Sequence, residues 1–190
     1  MGTSAMASGL PPEGRRSVRS APAPAVPPSG EQEFLAEWAA FRARFVTPDG
    51  RVVDTGNGGV SHSEGQSCGL LFAAAADDRA SFERILAWSR GALRRPEDSL
   101  MAWRYRPGAA VPVDDPSNAT DGDLVFAWAL LRVGGRRGVR AHRDLARAIA
   151  GDVVRKLVRH AGGRTVLFPA AVGFEHPGRL IVNPSYQLGG

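Results

Sequence analysis

Phe34, Trp38, Phe41 and Phe45 recur at spacings of four, three and four residues. That rhythm puts all four on one face of a helix. The helix opens near Glu31, and Thr47-Pro48-Asp49-Gly50 closes it with a turn signature. Residues 51–54 read as a short extended piece and Asn57-Gly58-Gly59 as a loop. A second helix is predicted over residues 63–78. A third covers 79–93, with Phe82, Ile85, Leu86, Ser89 and Leu93 on one face, and is limited by Pro96. Residues 96–118 read as loop, with Trp103 and Tyr105 embedded in it. A fourth helix opens near Asp121, sets Leu124, Ala127, Trp128 and Leu131 at i, i+3, i+4 and i+7, and is expected to stop at Gly134-Gly135. A fifth, over residues 141–160, carries Leu145, Ile149, Val153 and Leu157 at four-residue steps and is expected to stop at Gly162-Gly163. The remainder, with Pro169, Pro177 and Pro184, reads as loop.

Helix therefore follows helix, with polar, Gly- and Trp-bearing segments between them and no convincing parallel strand. An all-α array of αα-hairpins accounts for this better than βαβ units do. The 190 residues are one domain's worth. Residues 1–30 stand apart: Pro11, Pro12, Pro22, Pro24, Pro27 and Pro28 alternate with Ala, Ser and Gly. Such a Pro/Ala/Ser-rich tail buries too little to offset its ordering entropy and is expected to be disordered. It also lacks the apolar core of a secretion signal, since 21–30 holds four prolines and no Leu, Ile or Phe. The packed domain is expected over residues 31–190.

Composition narrows the function classes. The longest apolar run, near residues 69–76, falls far short of the ~20 residues that cross a bilayer, so no membrane span is expected. A single cysteine, Cys68, excludes an intramolecular disulfide framework and a Cys-rich zinc site. The net charge of +5 invites a nucleic-acid reading. However, every basic residue but Lys156 is an arginine, and the arginines are scattered along the chain. No finger spacing, RNA-binding aromatic motif or basic helix accompanies them, so nucleic acid is not an expected partner. His62, His142, His160 and His176 are too dispersed to suggest a metal site.

Three segments hold candidate chemistry. Ser61-His62-Ser63-Glu64-Gly65-Gln66 has the S-x-x-E form of a capping box at a helix start. It equally suits a carboxyl group held at a helix N-terminus facing a cleft. A general acid there needs desolvation or a neighbouring carboxylate to keep its proton against the helix dipole. Asn118-Ala119-Thr120-Asp121-Gly122-Asp123 reads as a second helix start, with Thr120 as N-cap and two acids in the first turn. Its Asp-x-Asp lacks the later glutamate of a calcium loop. Asn183-Pro184-Ser185-Tyr186 is a polar and aromatic loop. Trp103 and Tyr105 suit core packing by default, or sugar stacking if exposed in a cleft.

Taken together, these segments resemble glycoside hydrolase family 8, the bacterial endoglucanases that include the cellulase of cellulose-synthesis operons. The resemblance runs from about Trp38 to Tyr186. It rests on Asp49-Gly50-Arg51-Val52-Val53-Asp54, on the Glu64 segment, on Ala119-Thr120-Asp121-Gly122-Asp123 followed by Ala127, and on Asn183-Pro184-Ser185-Tyr186. The resemblance implies an N-terminal portion of an (α/α)6 barrel and inverting hydrolysis of β-1,4-glucan, with no cofactor. Glu64 then matches the general acid and Asp121 the aspartate that binds and distorts the sugar. Asp123, Trp103, Tyr186, Asn183 and Gln66 become substrate-binding candidates. The family's catalytic base lies beyond Gly190. Cys68 stands where an aromatic is usual, and 134–140 lacks a tryptophan common after the second signature. The family suggests a periplasmic or secreted setting, while the missing signal leaves the cytoplasm open. The implied partner is a β-1,4-glucan. A half-barrel also leaves apolar helix faces exposed, so self-association is expected. From another class, a non-catalytic glucan-binding module would keep the same aromatics and Asp121.

Overall fold

The computed structural model describes residues 29–184. The Pro/Ala/Ser-rich tail expected over 1–30 lies almost wholly outside this range, as do Ser185 and Tyr186. Five helices dominate: α1 (Gly30–Phe45), α2 (Ser63–Ala75), α3 (Arg79–Ala92), α4 (Thr120–Arg136) and α5 (Arg140–Leu157). Six short strands pair into antiparallel ribbons: β1 (Ser61–His62) with β2 (Arg104–Tyr105), β3 (Val158–Ala161) with β4 (Arg164–Leu167), and β5 (Glu175–His176) with β6 (Arg179–Leu180).

α2 and α4 lie side by side at the centre; α3 and α1 cover α2, and α5 covers α4. Between the two layers, Leu70, Ala73, Phe82, Ile85, Phe126, Ala129, Leu130, Ile149 and Leu157 are essentially inaccessible to solvent. The predicted face of α3 is buried along its length, as are three of the four apolar residues predicted for α5; Leu145 is half-buried.

The boundaries of the elements differ from the pattern-based expectation in instructive ways. A capping box opens α1, Ser29 accepting from the Gln32 backbone N–H while the Gln32 side chain accepts from the Ser29 N–H. α2 stops at Ala75 rather than reaching Asp78. Asp77 turns to φ 54°, a left-handed conformation that Asp tolerates, and Asp78 becomes the N-cap of α3, accepting from Ser81 N at 3.0 Å. Asp78 also receives Trp38 Nε1 at 3.2 Å and Arg42 at 2.7 Å, which ties α1 to this corner.

Gly134-Gly135 does not stop α4, which continues to Arg136. A Cβ on Gly134 would come within 2.7 Å of Arg143 Cγ, so this glycine lets α5 cross closely. The turn falls on Gly138 instead, at φ 69°. α5 ends at Leu157, because residues 158–167 leave the helix for the β3–β4 ribbon. Gly162-Gly163, expected to stop a helix, is the two-residue tip of that ribbon, both at positive φ (57° and 72°). The remainder read as loop contains β4, β5 and β6.

α4 also departs from its predicted face. Ala127 is buried, but Leu124, Trp128 and Leu131 are 41%, 52% and 46% exposed. The buried apolar residues are Phe126, Ala127, Ala129, Leu130 and Val133, because α4 sits between α2 and α5 and turns those flanks inward.

The turn at Gly50 anchors the segment leading to β1. Its φ of 98° suits glycine, and a Cβ would lie 2.3 Å from the backbone of Arg84 in α3. Gly50→Ala should therefore destabilise the fold by about 2–4 kcal/mol, because backbone, not a movable side chain, blocks the space. Urea unfolding followed by circular dichroism measures this.

Candidate active site

Ser61-x-x-Glu64 does not form a capping box. Ser61 is already paired in β1 opposite Tyr105, and its Oγ is buried without a hydrogen-bond partner. His62 takes the N-cap position and makes no side-chain capping bond. Glu64 is thus freed from capping; it sits half-buried in the first turn of α2 with Ser63 Oγ 3.3 Å from its Oε2. Thr120 is not an N-cap either. Ala119 holds that place, and the Thr120 hydroxyl turns away to donate to Phe168 O at 2.6 Å. The Thr120 N–H bonds Pro169 O at 2.9 Å.

The N-termini of α2 and α4 meet directly. A Cβ on Gly122 would fall 2.6 Å from Ser63 Oγ and 3.1 Å from Glu64 N. Ser67 Oγ lies 2.6 Å from Ser63 O and 2.7 Å from Gly122 O, bridging the two first turns. Glu64 and Asp121 are carried on this junction. Cys68 lies one turn down α2, where burial pushes its thiol above its ordinary pKa and the charges of Glu64 and Asp121 push it further. Asp121 is half-buried, and one of its oxygens accepts the Gly122 N–H at 2.8 Å.

Trp103 stands beside this pair. Its carbonyl receives the Ser63 N–H at 2.9 Å, so it is fastened to the first residue of α2. The His62 ring stacks on it, with centroids 5.8 Å apart and planes 11° from parallel. The Arg104 guanidinium lies 4.4 Å from its ring centre. Its indole N–H donates to Asp115 at 2.8 Å. The Ser117 N–H, and then the Trp103 indole, hold the Asp115 carboxyl below the usual carboxylate range. A cleft of about 320 Å³ opens against Trp103, lined further by Asn118, Ala119, Pro169, Val172 and Phe174. Tyr105 belongs instead to the packing, edge-on to Trp88 at 5.2 Å.

Two residues proposed from sequence as sugar contacts are sealed from solvent. Gln66 is fully buried: its amide donates to Ser89 Oγ at 2.8 Å and to Gly50 O at 3.3 Å, and its carbonyl accepts the Val52 N–H. It locks the segment before β1 onto α2 and α3. Asp123 is equally inaccessible, accepting from Met101 N and Asn118 Nδ2, each at 2.9 Å. The physical reason is helical phase: both lie on the flank of their helix that faces the loops packed beneath the site. Asn183 follows β6, is half-buried, and is not part of the Trp103 cleft. Tyr186 lies outside the described residues. Sequence reasoning did not single out Asn118, His62 or Asp115 as site-building residues; the signal was their position immediately beside the two acidic signatures. Among the described residues, no group of three or more His, Cys, Asp or Glu side chains is placed to hold a metal ion.

The arrangement is of one class: an αα-hairpin array carrying Glu64 and Asp121 in the abutting first turns of α2 and α4, with a separate cleft against Trp103 whose lining includes neither carboxylate. Residues 23–189 match the family model of glycosyl hydrolases family 8. The chain is 50% identical over 152 residues to a probable endoglucanase of Novacetimonas hansenii, an alignment covering 80% of this chain and 44% of that protein. It is 40% identical to an endoglucanase of Cellulomonas uda, covering 80% and 42%. The fold superposes on an endo-beta-1,4-glucanase of Acetobacter xylinum with a TM-score of 0.78 at 48% identity, covering 82% of this chain and 49% of that one. It superposes on a family 8 endoglucanase of Klebsiella pneumoniae with a TM-score of 0.77 at 40% identity, covering 80% and 49%. The chain belongs to glycosyl hydrolases family 8, and its helices are a portion of that family's (α/α)6 barrel. It spans about half the length of the relatives it matches.

Two measurements probe the site directly. Cys68 is the sole thiol of the chain and reports on both carboxylates. Glu64→Gln or Asp121→Asn each removes a negative charge, so each should move the pH midpoint of Cys68 alkylation downward and speed iodoacetamide labelling at pH 8. The second concerns Asp123, whose pKa burial raises to about 7 against the pull of the Met101 and Asn118 donors and of Arg95. The unfolded chain releases this proton near pH 4. Between about pH 4 and 7 the native state therefore holds the extra proton, and raising the pH costs the folded state stability. Below about pH 4 that cost vanishes, and above about 7 it is complete. Relative to Asp123→Asn, wild-type stability in urea titrations should fall across this window and level off above it.

Proposed function

We propose that the chain carries the acid side of a site that hydrolyses β-1,4-glucosidic bonds in cellulose or a related β-glucan. One observation supports this reading: the contact at Gly122 between the first turns of α2 and α4, which carry Glu64 and Asp121, with Trp103 O bonded to Ser63 N at the head of α2. The relatives named endoglucanases, and the superposed endo-beta-1,4-glucanase, support the substrate class.

In this reading Glu64 gives its proton to the glycosidic oxygen as the bond to the leaving sugar breaks. Asp121 accepts sugar hydroxyls from the neighbouring helix start and holds the ring at the cleavage point. Trp103 forms a wall of the cleft for the next sugar. The inverting route requires a second carboxylate ~6.5–9.5 Å from the acid, activating a water on the opposite face of the ring. That base is contributed from outside residues 29–184. No group in the mechanism calls for a metal or cofactor.

The test is reducing-sugar release from carboxymethylcellulose, with cellopentaose binding measured in parallel. Glu64→Gln keeps the shape of the side chain but has no proton to give, so hydrolysis should fall by ~10²–10⁴-fold while binding stays within about twofold. Hydrolysis that is unchanged in Glu64→Gln would overturn the assignment of Glu64 as the acid.

A further inference from the structure

Asp123 and Asn118 form a relay beneath the cleft. Both are buried, Asp123 completely and Asn118 to within 3%. One Asp123 oxygen accepts the Met101 N–H at 2.9 Å, and the other accepts Asn118 Nδ2 at 2.9 Å. Asn118 Oδ1 in turn accepts the Ala171 N–H at 2.7 Å. The relay therefore crosses from the segment that ends in Trp103 to the segment 169–171. Trp103 at the end of the first segment and Pro169 and Ala170 in the second all line the 320 Å³ cleft, as does Asn118 itself. The Met101 end lies two residues from Trp103, whose carbonyl holds the first residue of α2 next to Glu64.

The order of the two side chains is constrained by donor and acceptor logic. The relay has an N–H at each end, so the pair between them must supply three acceptors and one donor. Asp at 123 with Asn at 118 satisfies all three bonds. Asn at both positions sets N–H against N–H or strands Ala171. Asp at both positions satisfies the bonds only while the pair shares a proton, and at alkaline pH sets two carboxylates face to face. The reversed pair, Asn at 123 and Asp at 118, satisfies all three bonds again.

We propose that Asp123 is a positioning residue of the cleft, acting through Met101 and Asn118 to fix the separation of the Trp103 wall from the 169–171 wall. Its effect on ligand binding rests on the reading of this cleft as a β-glucan site. The hydrogen-bond relay itself does not.

The experiment compares the unsubstituted chain with Asp123→Asn, Asn118→Asp and the double swap. Cellopentaose affinity is measured by calorimetry, and amide hydrogen exchange at Met101 and Ala171 is followed without ligand. Asp123→Asn should weaken cellopentaose binding by roughly tenfold or more, since it leaves a buried polar group unpaired, and Asn118→Asp should do so at alkaline pH, where its carboxylate pair loses the shared proton. Met101 and Ala171 should lose exchange protection together. The double swap should restore affinity to within about threefold and restore protection at both amides. A loss of general stability would not predict recovery when two destabilising changes are combined. Single variants that bind as the unsubstituted chain does at alkaline pH would overturn the proposal, and so would a swap that regains protection without affinity. If the single variants do not fold, recovery in the swap decides alone. If the unsubstituted chain does not bind cellopentaose, the glucan reading fails by itself. Ala171 exchange that responds to substitution at 123 then upholds the relay, and exchange that ignores it overturns the relay.

Discussion

The contact between the first turns of α2 and α4 is the constraint on which the rest of the site depends. Two helix N-termini, each carrying roughly half a positive charge from the aligned peptide dipoles, are brought side by side. The approach is as close as Gly122 permits: a side chain there would strike Ser63 Oγ at 2.6 Å. Left alone, two positive ends at this separation repel. Glu64 and Asp121 sit in the two first turns, where negative charge offsets that repulsion. The geometry that makes negative charge favourable at the junction also concentrates two carboxylates at one end of the helical array.

Holding that junction open to a cleft requires loops to be fixed without a large sheet or core of their own. The segments 46–62, 93–119 and 168–171 are instead fastened by buried side-chain polar groups. Gln66 grips the first of them through Gly50 and Val52. Asp123 grips the second through Met101, while Asn118 and Thr120 grip the third through Ala171 and Phe168. The side-chain polar atoms of Gln66, Asp123, Asn118 and Thr120 would be costly if unpaired, and each finds a backbone or side-chain partner, so the cost of burial becomes a penalty on any other loop arrangement. Arg95 extends the pattern, its guanidinium bonding Asp98 at 2.9 Å and reaching the Pro116 carbonyl.

The helices were legible because their periodicity is strong and because α3 and α5 carry one apolar face each. The carboxylates were legible because acidic residues at helix starts are conspicuous. The boundaries at Gly134 and Gly162 were not. A glycine that stops a helix and one that lets a neighbouring helix approach leave the same mark in sequence, and only the position of Arg143 separates them. The caps misled for a related reason. Ser61 and Thr120 are good capping residues by type, yet β1 pairing and the pull of the Phe168 carbonyl had first claim on them. The family resemblance makes Gln66 and Asp123 substrate-binding candidates, but both are buried in hydrogen bonds to loops. Adjacent residues on a helix point about 100° apart, so one can face the cleft while a neighbour two positions away faces the packed loops.

α4 shows what such pattern reading does capture. Phe126, Ala129, Leu130 and Val133 are buried against α2 and α5, and Leu124, Trp128 and Leu131 add a further apolar stripe that is about half exposed. A helix on the outer layer, such as α5, keeps one polar face. A helix apolar nearly all round belongs to an interior with neighbours on every side. In the closed ring of the (α/α)6 barrel an inner helix has an inner neighbour on each flank, whereas α4 has α2 on one flank among the described residues. The Arg132 guanidinium, 5.7 Å from the Trp128 ring centre, shields part of the stripe. The residues of α4 thus encode its place in the inner ring even where the described elements leave a flank uncovered. The predicted face of Leu124, Trp128 and Leu131 is thus about half exposed among the described residues, while the flanks packed on α2 and α5 are the buried ones.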